Sequence, residues 1–296
     1  HEAVEPRILD RLASASDPRA RAYAARVLGR WHDRMDGALA RLIPLLSDDH
    51  PRVRLEALVS AAALRNTEAS LGLLGVLDKP LDSFLNYALH QAIHVLKPYW
   101  LPHLAALPLK RMEYVVRADG SPDTLDRLRL LAADSSRPLR DRETLLALLG
   151  ELGAPNDLAA LLNPSAFAEQ GRYDAGIHAR VLSAIVRSQP VRRTQPDTNA
   201  GPALARLLDS PASTASLRAD ALRLAGLWNI TALAERLAGV AADREADITG
   251  RLAAIEALGR FGTGQSTEVI RRLAQGDPKP LMQADRKSTR LNSSHT

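Results

Sequence analysis

His90 and His94 stand four residues apart, a separation that puts two imidazoles on one face of a helix and lets them share a metal ion. A metalloprotease helix of the His-Glu-x-x-His kind would need Glu at position 91, where the chain has Gln91. His103 follows shortly, but no third ligand is evident, and protein metal sites take three or four. The pair therefore reads as two helix-surface histidines. Around it lie Tyr87, Gln91, Tyr99 and Trp100. Tyr and Trp bury large areas at small entropic cost, which makes them good interface anchors. Tyr87, His90, Gln91, His94, Tyr99 and Trp100 are thus a candidate interaction surface, with plain core packing as the competing reading.

Other chemistries find no support. Ser, His and Asp are present, but no Gly-x-Ser-x-Gly nucleophile elbow appears. The carboxylates are scattered rather than paired. Gly262-Thr-Gly264 lacks both the Lys and the length of a phosphate loop. No catalytic residue, metal ligand or cofactor is assigned.

What must position the histidines is a repeat. The register Arg-x-x-Ala-x-x-x-x-Gly reads Arg21/Ala24/Gly29, Arg54/Ala57/Ala62, Arg218/Ala221/Gly226 and Arg251/Ala254/Gly259. Both adjacent pairs are offset by 33 residues, and a looser copy, Arg142/Leu145/Gly150, lies between them. A period of this size marks helix pairs that cannot bury their apolar faces alone and must stack on their neighbours.

Each unit is a short Leu-rich helix A followed by an Arg/Ala helix B. The predicted pairs are 5–14 with 18–30, 37–46 with 51–65, 68–77 with 81–96, and 124–133 with 138–152. They continue as 157–162 with 174–188, 202–208 with 213–227, and 231–242 with 246–260; a ninth unit starts at 267–275. Pro98, Pro102 and Pro108 make a unit around 99–118 irregular. Long loops are expected at 163–173 and 189–200, and no useful strand pattern is seen. Asp17-Pro18, Pro51 after Asp48-Asp49-His50, and Ser210-Pro211 are read as starts of helix B. The Ala is expected to admit a close neighbour and the Gly to end or bend the helix. The Arg, in the first turn of helix B, is expected to reach a carboxylate such as Asp49 or one in the next unit.

Both ends need trimming. The run from Asp285 to His295 resembles the conceptual translation of a sequencing adapter, so 285–296 is set apart and 1–284 is read as one repeat array. The chain starts at His1 rather than Met, and the array is expected to be open at both ends. Removing the tail lowers the formal charge from +5 to about +3, because Arg286, Lys287 and Arg290 outweigh Asp285 by two. So balanced a chain gives no reason to expect nucleic acid or an anionic membrane. No apolar run approaches the roughly 18 residues that would span a bilayer. With no cysteine, disulfides, thiolate metal sites and covalent haem are excluded within this piece. Aromatic residues make up only 4%. Ala and Leu dominate instead, a composition suited to closely packed helices.

The units resemble HEAT repeats, through Asp49, Val53 and Arg54, then the Ala and the Leu-Gly end. The resemblance implies an all-α fold, a right-handed α-α superhelix of the HEAT/armadillo-like solenoid type, with about eight helix pairs. A narrower stretch is also similar to a known segment: His50-Pro-Arg-Val-Arg-Leu-Glu-Ala57, then Asp82-Ser-Phe-Leu-Asn-Tyr-Ala-Leu89 and Leu96-Lys-Pro-Tyr-Trp-Leu101. It resembles the HEAT segment of large planctomycete and verrucomicrobial proteins. There a dehydrogenase-like β-propeller precedes the array and a c-type cytochrome domain follows it. That resemblance implies a periplasmic or secreted setting and a neighbouring haem domain, but no catalytic residue here.

The function expected is therefore that of a non-catalytic scaffold. It would contact a protein partner or neighbouring domains of its own chain through the face built by the B helices. Two other readings compete: a HEAT-like nucleic-acid binder using Arg and Trp, and a metal-dependent HEAT enzyme. The second would need paired His-Glu motifs, and the only His-Glu is His1-Glu2.

Overall fold

The computed structural model describes residues 5–276, which fall into two compact units meeting at residues 127 and 128. His1-Glu2 and the tail 285–296 lie outside the described residues.

The first unit holds α1 (Pro6–Ala13), α2 (Pro18–Arg30), α3 (Ala38–Leu45), α4 (Pro51–Ala63), α5 (Thr67–Gly72), α6 (Ser83–Val95), α7 (Lys97–Trp100) and α8 (Leu109–Asp119). The chain passes out of it within α9 (Pro122–Ala133). The second unit continues with α10 (Leu139–Leu152), α11 (Pro155–Leu161), β1 (Ala168–Glu169), β2 (Arg172–Tyr173), α12 (Ala175–Arg192) and α13 (Gly201–Asp209). It ends with α14 (Ala215–Leu227), α15 (Ala234–Ala242), α16 (Ile248–Phe261) and α17 (Gly264–Gly276).

Helix starts follow local chemistry. Asp17 accepts from the Arg19 amide and the His50 ring from that of Arg52, each followed by a proline in the first turn. Asp82, Asp174 and Asp247 cap α6, α12 and α16. Ser210-Pro211 is not a helix start: α14 begins four residues later, because the Thr214 hydroxyl takes the Leu217 amide.

In each unit the B helices pack sideways on one another. These are α2, α4, α6 and α8 in the first, and α10, α12, α14 and α16 in the second. The shorter helices pack behind their own partners, as α1 does on α2 and α15 on α16. Leu28, Leu42 and Leu58 are fully buried along these seams, each worth about 1.5–3 kcal/mol of apolar transfer. Pro98, Pro102 and Pro108 do break the fourth pair, into α7, a 3-10 turn at Leu101–Ala106, and α8.

Two expectations about loops are corrected. The 163–173 connection is not structureless: it carries a 3-10 turn, Pro164–Phe167, and the antiparallel hairpin β1–β2. The hairpin turns on Gln170 and Gly171, both at positive φ. The 189–200 loop is also shorter than predicted, since α12 runs on through Pro190 to Arg192. Tertiary contacts hold that last turn. Gln189 is buried and accepts from the Trp228 indole at 3.2 Å, while Arg192 donates to the Glu151 carbonyl at 2.8 Å.

Candidate interaction face

The repeat register explains how the surface is held in place. Ala24, Ala57, Ala221 and Ala254 have no exposed area at all, as close approach of the next helix requires. The register glycines act differently from the expectation. Gly29, Gly150, Gly226 and Gly259 all sit inside their helices and have no positive φ. A Cβ on Gly29 would lie 2.4 Å from Ser60 Cβ, and one on Gly226 would lie 2.5 Å from Ala257 Cα. These two glycines let successive B helices touch; they do not end them. At Gly259 the space is ordinary, with Ile270 Cδ1 3.9 Å away.

The register arginines are corrected too. Arg21 meets a carboxylate, donating to both oxygens of Asp48 at 2.7 and 2.9 Å. Arg54 grips backbone instead: its Nη1 donates to the carbonyls of Asp48 and Asp49 at 2.8 and 3.1 Å, and its Nη2 to Pro80 at 2.9 Å. Arg218 donates to the Ser210 carbonyl, Arg142 to that of Ala132 and Arg251 to that of Ala241. In this position a guanidinium collects carbonyls left without partners at the end of the preceding helix. Arg54→Lys should cost the first unit roughly 2–3 kcal/mol, since one ammonium cannot span three fixed acceptors. Urea unfolding checks this, with the surface change Arg30→Lys expected to be nearly silent.

The cross-helix ionic rungs come from other residues, on the outer side of the B helices. Glu56 accepts from Arg26 of α2 at 2.6 Å and from Arg52 of its own helix at 2.9 Å. In the second unit Arg180 bonds Glu143, and Ser183, Asp220 and Arg223 form a chain across α12 and α14. The rungs made by Arg26, Arg52 and Arg180, all more than half exposed, contribute only about 0–1 kcal/mol each. They align faces more than they stabilise them.

On α6, Tyr87, Gln91 and His94 are exposed and His90 is half-buried, so four predicted residues do share one surface. The two imidazoles meet edge to face at 4.7 Å, and His94 Nδ1 lies 3.4 Å from Asp119 Oδ1. Among the described residues no group of three His, Cys, Asp or Glu is placed to hold a metal ion. Tyr99 is half-buried on α7. Trp100 leaves the surface altogether: it is 1% exposed, and its indole N–H donates to the Ile93 carbonyl at 2.8 Å. An aromatic residue in a Pro-broken segment is drawn inward because it fills the gap that the short helix leaves.

Sequence reasoning missed the rest of this face. Phe84 is 72% exposed and Tyr87 68%, and Val95 is also open. With Gln91 they form a stripe at i, i+3, i+7 and i+11, a spacing that was present in the sequence. Beside it, a cleft of about 370 Å³ lies between α6 and α8, lined by Asn86, His90, Lys110, Glu113, Tyr114 and Arg117. The Tyr114 hydroxyl donates to Asn86 at 2.7 Å across it, and burial raises the phenol's pKa.

A polar knot closes the far end of α6. The Asp119 side chain is 4% exposed and accepts from the Ser121 amide and hydroxyl and from Thr124 at 2.7 Å, with Lys97 Nζ 3.3 Å away. Burial alone would raise this carboxyl, yet the hydrogen bonds and the lysine hold it at about 2. Ser121 also takes a hydrogen bond from Lys97, but its own proton goes to Asp119. The knot is thus a charged junction with no activated nucleophile. A second buried group, His178, lies in the other unit: it stacks on Phe167 at 4.0 Å and is bonded through both ring nitrogens, to Tyr173 and to the Leu161 carbonyl.

No helix among the described residues is long and apolar enough to cross a membrane. No curated protein matches the chain. Among solved structures, the chain is similar to the complex of CpcE and CpcF of phycocyanin lyase from Nostoc sp. PCC7120. The identity there is 21% and the TM-score 0.31, over 92% of this chain and 96% of that one. It is also similar to an engineered protein, at 16% identity and TM-score 0.31, over 89% of this chain and 80% of that one. Residues 5–94, from α1 through most of α6, match the family model described as HEAT repeats, and each of the two units is an all-α stack of helix pairs of the solenoid type.

Proposed function

We propose that the chain is a non-catalytic HEAT-repeat scaffold whose working surface in the first unit is the outer side of α6. The observation that carries this is the exposure of Phe84 and Tyr87 side by side, in a chain with only 4% aromatic residues. Large aromatic rings left in water at the centre of a helix-lined face are the residue types that dominate binding energy when a partner covers them. The partner is a protein or a neighbouring domain of the same polypeptide. The stretches at 50–57, 82–89 and 96–101 favour, as the wider setting, a multidomain protein with a dehydrogenase-like propeller and a cytochrome domain, outside the cytoplasm.

Photo-crosslinking tests the reading. A benzophenone amino acid at position 87, in the full-length protein in its own cells, is expected to give a discrete adduct with another protein or another domain. The same group at position 8, exposed on α1 in the other layer, should not. Equal yields from both positions, or none from 87, would refute the assignment.

A further inference from the structure

The outer positions of α2, α4 and α6 lie in register, because Arg26 of α2 is bonded to Glu56 of α4 and the three helices pack in sequence. Equivalent positions run Arg19, Arg52, Phe84, then Tyr23, Glu56, Ala88, then Arg26, Val59, Gln91, and finally Arg30, Ala63, Val95. Along each row the side chain changes from charged or polar on α2 to uncharged and mostly apolar on α6. Val59 of α4 is more than half exposed, so the apolar surface reaches inward from α6, and Tyr23 stands likewise exposed among the arginines of α2. The face carries Arg19, Arg26, Arg30 and Arg52 against Glu56 and, at its edge, Asp17, an excess of two positive charges.

We infer that this face binds an acidic polypeptide segment that lies across the B helices, with apolar side chains on Phe84, Tyr87 and Val95 and carboxylates over α2. The inference rests on the scaffold reading and adds the partner's chemistry to it. Adjacent helix axes are about 8–10 Å apart, so crossing from α2 to α6 takes roughly six extended residues. The apolar end supplies affinity by leaving water, and the arginines select for negative charge and set the direction in which the segment lies. A nucleic acid fits less well. Glu56 sits among the arginines of α2 and α4, where its carboxylate would face the phosphates, and Glu113 does the same beside Lys110 and Arg117 next to the α6 stripe.

The test uses the whole protein and fluorescein-labelled peptides of about twelve residues, long enough to cover that span with spare ends. One half is Glu-rich and the other carries Phe and Leu. One analogue replaces Glu by Lys, and a second replaces the apolar residues by Ser. In anisotropy titrations the Glu peptide should bind and the Lys and Ser analogues should bind on the order of tenfold more weakly. The surface double variant Arg19→Glu/Arg30→Glu should reverse the preference, and Tyr87→Ala should abolish it. Three results would overturn the inference: equal or absent binding of Glu and Lys peptides, tighter binding of oligothymidylate than of the Glu peptide, or self-association in sedimentation that Tyr87→Ala abolishes. If the peptides fail while the crosslink at position 87 persists, only the acidic partner is lost. If the crosslink is absent, the scaffold reading itself falls.

Discussion

Gly226→Ala should lower the stability of the second unit by roughly 1–3 kcal/mol, while Gly239→Ala should raise it by up to about 1 kcal/mol. Each change adds one methyl group to the interior of a helix, and helix propensity alone would favour both. The surroundings decide the sign. At Gly226 the new Cβ would sit 2.5 Å from Ala257 Cα and 2.7 Å from Ala257 Cβ. The nearest of these atoms is backbone, so no side-chain rotation relieves the overlap, and α14 and α16 must move apart. Movement there opens a seam lined by Ala221 and Ala254, both fully buried. At Gly239, on the exposed side of α15, nothing lies within 4 Å. Urea unfolding together with hydrogen exchange of the α14 and α16 amides would measure both, because stacked repeats open locally as well as globally. If Gly226→Ala is as stable as the parent, the close-approach role is wrong.

That role also marks how far the sequence could be read. The 33-residue register located the B helices and their buried alanines, because a residue with no room around it recurs wherever the same contact recurs. It did not say why glycine follows. A glycine that ends a helix and one that admits a neighbour look alike in a single chain. The distinguishing signal is distant: a small residue 31 positions later, Ser60 for Gly29 and Ala257 for Gly226. The arginines pose the same difficulty. Their position in the first turn was legible, but a carbonyl acceptor leaves no mark in sequence as Asp or Glu does, and so a carboxylate ladder was expected where Arg54 and Arg218 hold backbone.

The surface set divides along the same line. Tyr87, Gln91 and His94 were found because they belong to one regular helix, where spacing fixes the face. Trp100 was misplaced because three prolines cancel the helical period after Leu96, and without a period there is no face to assign. The hairpin at 168–173 escaped because strands of two residues are too short to alternate. The extension of α12 through Pro190 rests on Gln189 meeting Trp228, a contact 39 residues apart. Local propensity reads the proline and not the distant indole.

That hairpin carries the second large effect. The His178 imidazole should titrate at about 4, and the second unit should lose roughly 3 kcal/mol of stability as pH falls from about 6.5 to 4. Burial is the main cause: the ring has no exposed area, is sandwiched against Phe167, and would have to carry its charge out of water. The hydrogen bond to the Leu161 carbonyl acts the other way but is the weaker influence. It also identifies the neutral form: Nε2–H donates to Leu161 at 2.9 Å, and Nδ1 accepts from the Tyr173 hydroxyl at 2.8 Å. Burial together with the nearby Asp174 charge raises the phenol to about 12, so it stays protonated and can donate throughout the range. Between the two histidine pKa values only the unfolded chain binds the proton. The stabilisation is therefore complete above the unfolded value, declines as pH falls, and is gone below the folded one. Among the described residues of this unit His178 is the only histidine, so no other imidazole contributes in that window. Two carboxylates of this unit are shifted the same way, Asp134 lowered by its hydrogen bonds to Ser136 and Glu268 by those to Arg271 and Arg272. His178→Gln should flatten the stability profile between pH 6.5 and 4 whatever its absolute cost, and nitrogen-15 NMR should follow the ring directly. A ring that titrates near 6.5 in the folded protein would mean that water reaches it and that the hairpin does not seal the site.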